Sequence, residues 1–98
     1  MDFLKKIFGE KVSISELIAN GAVVVDVRTK DEFQRGHLRN AINIPLDRLP
    51  DNLKKLDRNK AIVTCCASGS RSATAKNYLR SKGFEQVYNG GSWISLRS

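Results

Sequence analysis

The chain lacks the raw material for a disulfide frame, a metal cage or a membrane span. Its two cysteines, Cys65 and Cys66, are neighbours. The spaced pairs that staple small secreted domains are therefore missing, and a vicinal bridge would need a strained ring. With a single histidine, His37, and no C-x-x-C pair, thiols and imidazole cannot assemble a four-ligand zinc site. Neither a metal nor another cofactor is expected. No window approaches the ~18 consecutive apolar residues of a membrane span. The opening Met1-Asp2-Phe3-Leu4-Lys5-Lys6-Ile7-Phe8 is too short and too charged for a secretory core. A soluble, cytoplasmic protein follows as the expectation. The amphipathic start, with Phe3, Leu4, Ile7 and Phe8 beside Lys5 and Lys6, is expected to pack on the domain and not on a membrane.

Acidic residues are also scarce, 10 against 17 Lys and Arg, for a net charge of +7 and a pI near 9.8. The cations are spread from Lys5 to Arg97, with few aromatics among them to act as stacking platforms. That distribution describes a solvated basic surface and not a nucleic-acid site, though its field would concentrate a small anion. At 98 residues, 41% of them hydrophobic, the chain is long enough for one core and too short for two. It is read as one domain over 1–98, with 1–10 a loosely packed N-terminal helix, and as a monomer.

Apolar runs and turn signals alternate along the chain. Ser13-Ile14-Ser15-Glu16 has capping-box spacing ahead of a short helix that Asn20-Gly21 closes. Ala22 to Val27 is a continuous apolar strand suited to burial on both faces. Thr29-Lys30-Asp31-Glu32 repeats the capping box and predicts a brief helix to Arg35, stopped by Gly36. Ala41 to Ile44 is a short strand ended by Pro45, and Leu49-Pro50-Asp51 starts a helix through Leu56. Ala61 to Cys65 is a third strand, Arg71 to Lys82 the longest helix, and Gln86-Val87-Tyr88 a last strand. Ala73, Ala75, Tyr78 and Leu79 give the long helix a core-facing stripe. The pattern is that of an α/β fold, an open, mostly parallel β-sheet flanked by helices on both faces. A ligand site is expected at the carboxyl ends of its strands.

The loop after the third strand reads Cys65-Cys66-Ala67-Ser68-Gly69-Ser70-Arg71-Ser72. A strand that feeds a glycine-containing loop opening into a helix is an anion cradle. Backbone N–H groups turn inward, and the helix N-terminus adds positive potential that would ionise a thiol placed there. The amides of Ala67 through Arg71 can lower a thiol pKa, Gly69 permits a positive φ, and the hydroxyls of Ser68, Ser70 and Ser72 add donors. Arg71 contributes a permanent charge.

These residues resemble the rhodanese family of sulfurtransferases, whose loop reads C-x-x-G-x-R-S, as Cys66 to Ser72 does. The resemblance extends over most of the chain. Asp26-Val27-Arg28, Glu32-Phe33, Gly36-His37-Leu38, Ala41 and Asn43-Ile44-Pro45 follow the order and spacing of the family's signature. The departures are Asn40 where Gly is usual, Cys65 where an aromatic often stands, and a shortened segment at Gly90-Gly91 before Trp93. The resemblance implies a thiosulfate sulfurtransferase of single-domain rhodanese-like fold. Thiolate Cys66 would attack the outer sulfur of thiosulfate, releasing sulfite, or of a persulfide donor, releasing that donor's thiolate, and pass the sulfur from its own persulfide to an acceptor. That acceptor would be a thiol, cyanide or a thioredoxin-like protein. No acid–base pair is needed, because sulfite leaves well and the persulfide is an anion the amides can hold.

Two other readings use the same letters. Counted from Cys65, the loop is C-x5-R ending at Arg71, the spacing of cysteine phosphatases and arsenate reductases, some of which share the rhodanese fold. Register favours Cys66, because from Cys65 the glycine falls one place late and Thr64 stands where a phosphatase has His. A non-catalytic rhodanese-like binding module would be marked by loss of the nucleophile, and Cys66 is present. Cys65 is read as a small hydrophobe on the far face of its strand beside Val63, with a resolving thiol as its functional alternative. Asp26 and Arg28 are supporting candidates. Arg28 would either contact the anion or pair with Glu32. His37 is read as fixing its turn by a bond to backbone, Asn89-Gly90-Gly91 as a turn, and Trp93 as a lid on the core.

Overall fold

The computed structural model describes residues 13–97, and the expected N-terminal helix over 1–10 lies outside them. Helix α1, Ile14–Ala19, starts at Ser13, whose Oγ accepts the amide of Glu16 at 3.3 Å, and ends where Gly21 turns at φ +100°. Strand β1, Val23–Asp26, follows. Helix α2, Lys30–Gln34, carries the full reciprocal cap. The Glu32 amide donates to Thr29 Oγ1 at 3.2 Å and the Thr29 amide donates to Glu32 Oε1 at 2.9 Å, satisfying two donors that a helix start otherwise leaves bare. Strand β2 is only Ile42–Asn43. Strand β3, Ile62–Cys66, helix α3, Ser70–Ser81, strand β4, Val87–Ser92, and a 3₁₀ turn, Trp93–Leu96, complete the order.

The four strands are all parallel, in the order β2-β1-β3-β4, so each connection crosses over through a helical segment, as parallel pairing demands. Every residue of β3 is buried. Because successive side chains point to opposite faces, both faces of the sheet are covered there. On one face Val25, Ile62 and Cys66 join Leu49, Leu56, Ala75, Leu79, Phe84 and Val87 in a single cluster. Full burial of a side chain such as Leu49, Leu79 or Phe84 contributes about 1.5–3 kcal/mol. Val24, Val63 and Cys65 are buried on the opposite face. Of the stripe expected on the long helix, Ala75 and Leu79 are buried and Tyr78 packs against the cluster, while Ala73 is half-buried. Among the described residues no helix is long and apolar enough to cross a membrane.

Two elements depart from the sequence pattern. The helix expected from Leu49 begins instead at Leu46 and runs to Lys55 as a 3₁₀ segment kinked at Asn52. Pro50 sits inside it and has no N–H for an i→i−4 bond. The tighter i→i−3 pattern already begins with the Arg48 amide on the Pro45 carbonyl at 2.8 Å. The last strand does not stop at Tyr88 but continues through Asn89-Gly90-Gly91 to Ser92. Gly90 is there for proximity. A Cβ on it would lie 2.7 Å from Val63 Cγ1 and 3.0 Å from the Thr64 carbonyl oxygen, so only a bare backbone lets β4 hug β3. Gly91, at φ +80°, absorbs the register shift opposite Thr64 and Cys66.

Candidate active site

Cys66 is the last residue of β3, and three residues later Gly69 caps α3 in the left-handed region at φ +108°. Helix α3 has no side-chain cap. The sulfur of Cys66 takes that place. The Gly69 amide donates to Sγ at 3.0 Å and the Ser72 amide at 3.3 Å, so the positive end of the helix is aimed at one thiol. Burial pushes the Cys66 thiol up, yet the hydrogen bonds of the Ser72 side chain and of the Ser72, Gly69 and Ser68 amides outweigh it and hold the pKa below the ordinary thiol value.

The Ser72 hydroxyl has one proton and several claimants. It lies 2.6 Å from Asn89 Oδ1, 3.0 Å from the Gly69 carbonyl and 3.4 Å from Cys66 Sγ. The Asn89 amide is oriented by two further bonds, accepting the Gly91 N–H at 2.9 Å and donating to the Gly69 carbonyl at 3.3 Å. Ser72 therefore donates to Asn89 while Cys66 is a thiol, and the thiol donates to Ser72. When Cys66 ionises, the hydroxyl must turn to the sulfur, whereas the three amides need no rearrangement. Asn89, which the sequence pattern assigned to a turn, thus anchors the loop to β4. Its signal was a polar residue just before a Gly-Gly pair, at the end of the strand beside the thiol-bearing one.

Cys66 itself is wholly buried, beneath exposed Ala67 and Ser68 and half-buried Gly69. Arg71 does not bond the sulfur. Its guanidinium forks onto Glu32 of α2, Nη1 to Oε1 at 2.7 Å and Nη2 to Oε2 at 3.0 Å. This bond, followed by that of the Thr29 amide, holds the Glu32 carboxyl down at about 2, and Glu32 in turn raises Arg71. The capping glutamate thus has a second task, fixing the loop's arginine. Ser70 is the first, exposed residue of α3, with its carbonyl accepting Thr74 Oγ1.

Asp26 and Arg28 lie on the other side of the sheet plane and serve each other. Arg28 donates from Nε and Nη2 to the Asp26 carboxylate at 2.7–3.0 Å, and from Nη2 to the Gly36 carbonyl at 2.7 Å, with both residues buried. It meets Glu32 only through that residue's carbonyl oxygen, at 3.3 Å. The expected Arg28–Glu32 ion pair is absent because Arg71 has taken the carboxylate. Four of the five guanidinium N–H groups of Arg28 are engaged by Asp26, Glu32 and Gly36. Trp93 stacks on the Arg28 guanidinium at 4.6 Å, with Arg97 at 5.3 Å from the same ring, so it lids an ion pair and not the apolar core. His37 holds its turn as expected, its Nδ1 2.7 Å from the Phe33 carbonyl and its ring stacked on Phe33 at 3.7 Å.

Cys65 is paired in register with Asp26 on this far face. Burial first, and the Asp26 carboxylate second, push its thiol up to about 12. The loop amides that the C-x5-R register would require at Cys65 lie around its neighbour instead. Both cysteines are free. Among the described residues no group of three or more His, Cys, Asp or Glu could hold a metal ion.

The family model described as a rhodanese-like domain matches residues 11–92. The thiosulfate sulfurtransferase GlpE of Ectopseudomonas mendocina is 35% identical over 74 residues, which cover 76% of this chain and 68% of that protein. The GlpE of Pseudomonas savastanoi is 36% identical over 69 residues, or 70% of this chain and 65% of that protein. The chain thus spans about two-thirds of the length of these curated relatives. A solved human single-domain sulfurtransferase superposes with a TM-score of 0.77 at 28% identity, covering 90% of this chain and 97% of the other.

Proposed function

This chain belongs to the rhodanese-like domain family, and from that premise we propose that it is a thiosulfate sulfurtransferase working through a persulfide on Cys66. The observation that carries the reading is the convergence of the α3 amides on one sulfur. A thiolate held there attacks the outer sulfur of thiosulfate. A Cys66–sulfur bond forms, the sulfur–sulfur bond of the donor breaks, and sulfite leaves with the electron pair. The negative charge now rests on the outer persulfide sulfur, one bond farther into the ring of Ser68, Gly69 and Ser72 amides. An acceptor thiolate or cyanide attacks that sulfur, and Cys66 departs as the thiolate the same amides favour. Charge is moved between anions throughout, so a site without a proton-transfer residue suffices.

The sulfur is covered in this conformation, so entry of the donor requires Ala67 and Ser68 to lift. They are exposed and belong to neither β3 nor α3. Arg71, tethered to Glu32, supplies a fixed positive charge at the mouth. The phosphatase and arsenate reductase reading needs Cys65 as nucleophile, and the high pKa and far-face burial of that thiol oppose it. The non-catalytic module is disfavoured by a loop whose nucleophile and amides are intact.

Mass spectrometry of the reduced chain after incubation with thiosulfate tests the proposal. The expected result is a gain of about 32 Da, one sulfur atom, on the peptide carrying Cys66. It should be removed by cyanide, lost in Cys66→Ser and kept in Cys65→Ser. No gain on either cysteine overturns the mechanism.

A further inference from the structure

Ser72 is wholly buried, so its neighbours alone decide where its hydroxyl proton points. Three acceptors lie within reach: Asn89 Oδ1 at 2.6 Å, the Gly69 carbonyl at 3.0 Å and Cys66 Sγ at 3.4 Å. The Gly69 carbonyl already takes the Ala73 amide at 3.0 Å and Asn89 Nδ2 at 3.3 Å, which fill its two lone pairs. The choice is therefore between Asn89 and the sulfur. Asn89 cannot turn its amide over, because the Gly91 N–H, a donor only, stands 2.9 Å from Oδ1 and would then face another N–H.

Charge on the sulfur decides which acceptor wins. Against a neutral thiol, the short bond to an amide oxygen outweighs a long one to sulfur. Against a thiolate, the charged acceptor makes the bond to sulfur about twice as strong, and the hydroxyl turns. No other charged group takes part. Arg71 on α3 is forked onto Glu32 of α2, and Arg80 in the last turn of α3 binds the Val87 carbonyl of β4. Asp26 at the end of β1 pairs with Arg28 on the far face, where Cys65 faces the carboxylate. Among the described residues none of these bonds Ser72 or Asn89.

Resting on the sulfurtransferase reading, we propose that Asn89 is a positioning residue for sulfur transfer. Through Ser72 it withholds one hydrogen bond from the resting thiol, yields it to the thiolate, and takes it back once the charge has moved to the outer sulfur. Loading forms the Cys66–sulfur bond and breaks the donor's sulfur–sulfur bond, with sulfite taking the electron pair. The hydroxyl keeps its proton throughout, and only the direction of its O–H bond changes. Asn89 thus opposes the amides. It keeps the thiolate more basic than the cradle alone would leave it, and so a stronger nucleophile toward the donor.

The sign of one substitution separates this role from simple anchoring. In Asn89→Leu, which fills the same space without an acceptor, the midpoint of Cys66 alkylation by iodoacetamide should move down by about half a pH unit. That is the part of one hydrogen bond that the freed Gly69 carbonyl does not recover. Loss of a mere anchor would disperse the amides and move the midpoint up. Above the midpoint, single-turnover loading by thiosulfate should slow and discharge to cyanide should quicken, each by less than about twofold. In a Ser72→Ala background, Asn89→Leu should leave the midpoint within about 0.3 of a pH unit. A rise in the midpoint, the same fall in the Ser72→Ala background, or equal slowing of loading and discharge would overturn the proposal.

The unsubstituted chain supplies a second test that does not depend on the variant folding. The ¹³C shift of Asn89 Cγ should move as Cys66 is ionised and return toward its thiol value when the persulfide forms. A shift that ignores ionisation, or stays at its thiolate value in the persulfide, would also overturn it. Failure to form any persulfide would sink the sulfur-transfer reading alone, because the alkylation midpoints and the thiol-to-thiolate shift need no donor. Persulfide formation with an unmoved midpoint in Asn89→Leu would sink the role of Asn89 and keep that reading.

Discussion

Cys65 and Cys66 share a peptide bond, yet the two faces of β3 give them opposite chemistry. On one face the sulfur meets backbone amides at 3.0 and 3.3 Å and its pKa falls. On the other it meets Val63's apolar face and the Asp26 carboxylate and its pKa climbs to about 12. Both thiols are fully buried, so burial alone does not separate them. The difference is the number of N–H groups that point at the sulfur, and this follows from the strand ending one residue after Cys65. A buried thiol is inert or poised according to whether a helix start faces it.

The contrast breaks most sharply at the nucleophile. Cys66→Ser should lower thiosulfate turnover by at least about 10³-fold, while Cys65→Ser should retain most of it, as measured by steady-state sulfite release. On the far face the penalty should appear in stability. Asp26→Asn leaves Arg28 buried without its counter-charge and should cost about 3–5 kcal/mol in urea unfolding, with activity per folded molecule largely kept. Gly90→Ala should cost about 1–3 kcal/mol, because its Cβ has no room against Val63 and Thr64. It would also loosen the strand that holds Asn89.

Iodoacetamide alkylation against pH sharpens the comparison at the sulfurs themselves. Cys66 should become reactive below the ordinary thiol range, and Ser72→Ala should move its midpoint upward. Cys65 should stay unmodified in the native chain until strongly alkaline conditions. The smallest effect belongs to Glu32. Its carboxyl is depressed from 4.5 to about 2, so the stability it contributes is present above 4.5 and is lost as pH falls through about 2. The pair with Arg71 is about one-third exposed, so Glu32→Gln should cost only about 0.2–1 kcal/mol at neutral pH, and the gap should close in acid.

Much of this arrangement was legible in the letters, and for local reasons. The N-cap at Ser13, the capping box at Thr29, the strand at Val23, and the strand–loop–helix around Gly69 are specified by residues within one turn of each other. So was the opposite facing of Cys65 and Cys66, since strand alternation already puts Cys65 on the Val63 face. What stayed hidden was long-range. Glu32 and Arg71 are far apart in the chain, and nothing near either one says that Arg71 would take the carboxylate from Arg28. Asn89-Gly90-Gly91 carries the letters of a turn, and only the approach of β3 makes it strand. Pro50 marked a helix start by composition, but Pro45 had already begun one.

The clamp on the active loop comes from the end of the domain. Asn89 and Gly91 reach the loop from β4, whereas the thiol and its helix are synthesised earlier. A ribosome adding about 5–20 residues per second leaves roughly one to five seconds between Cys66 and Asn89. During that interval the nascent chain carries Cys66 without the strand that closes its loop, so the cradle cannot be completed until Asn89 has been added. Reactive-site assembly in this fold is a late event of translation, and any pause after residue 66 prolongs it.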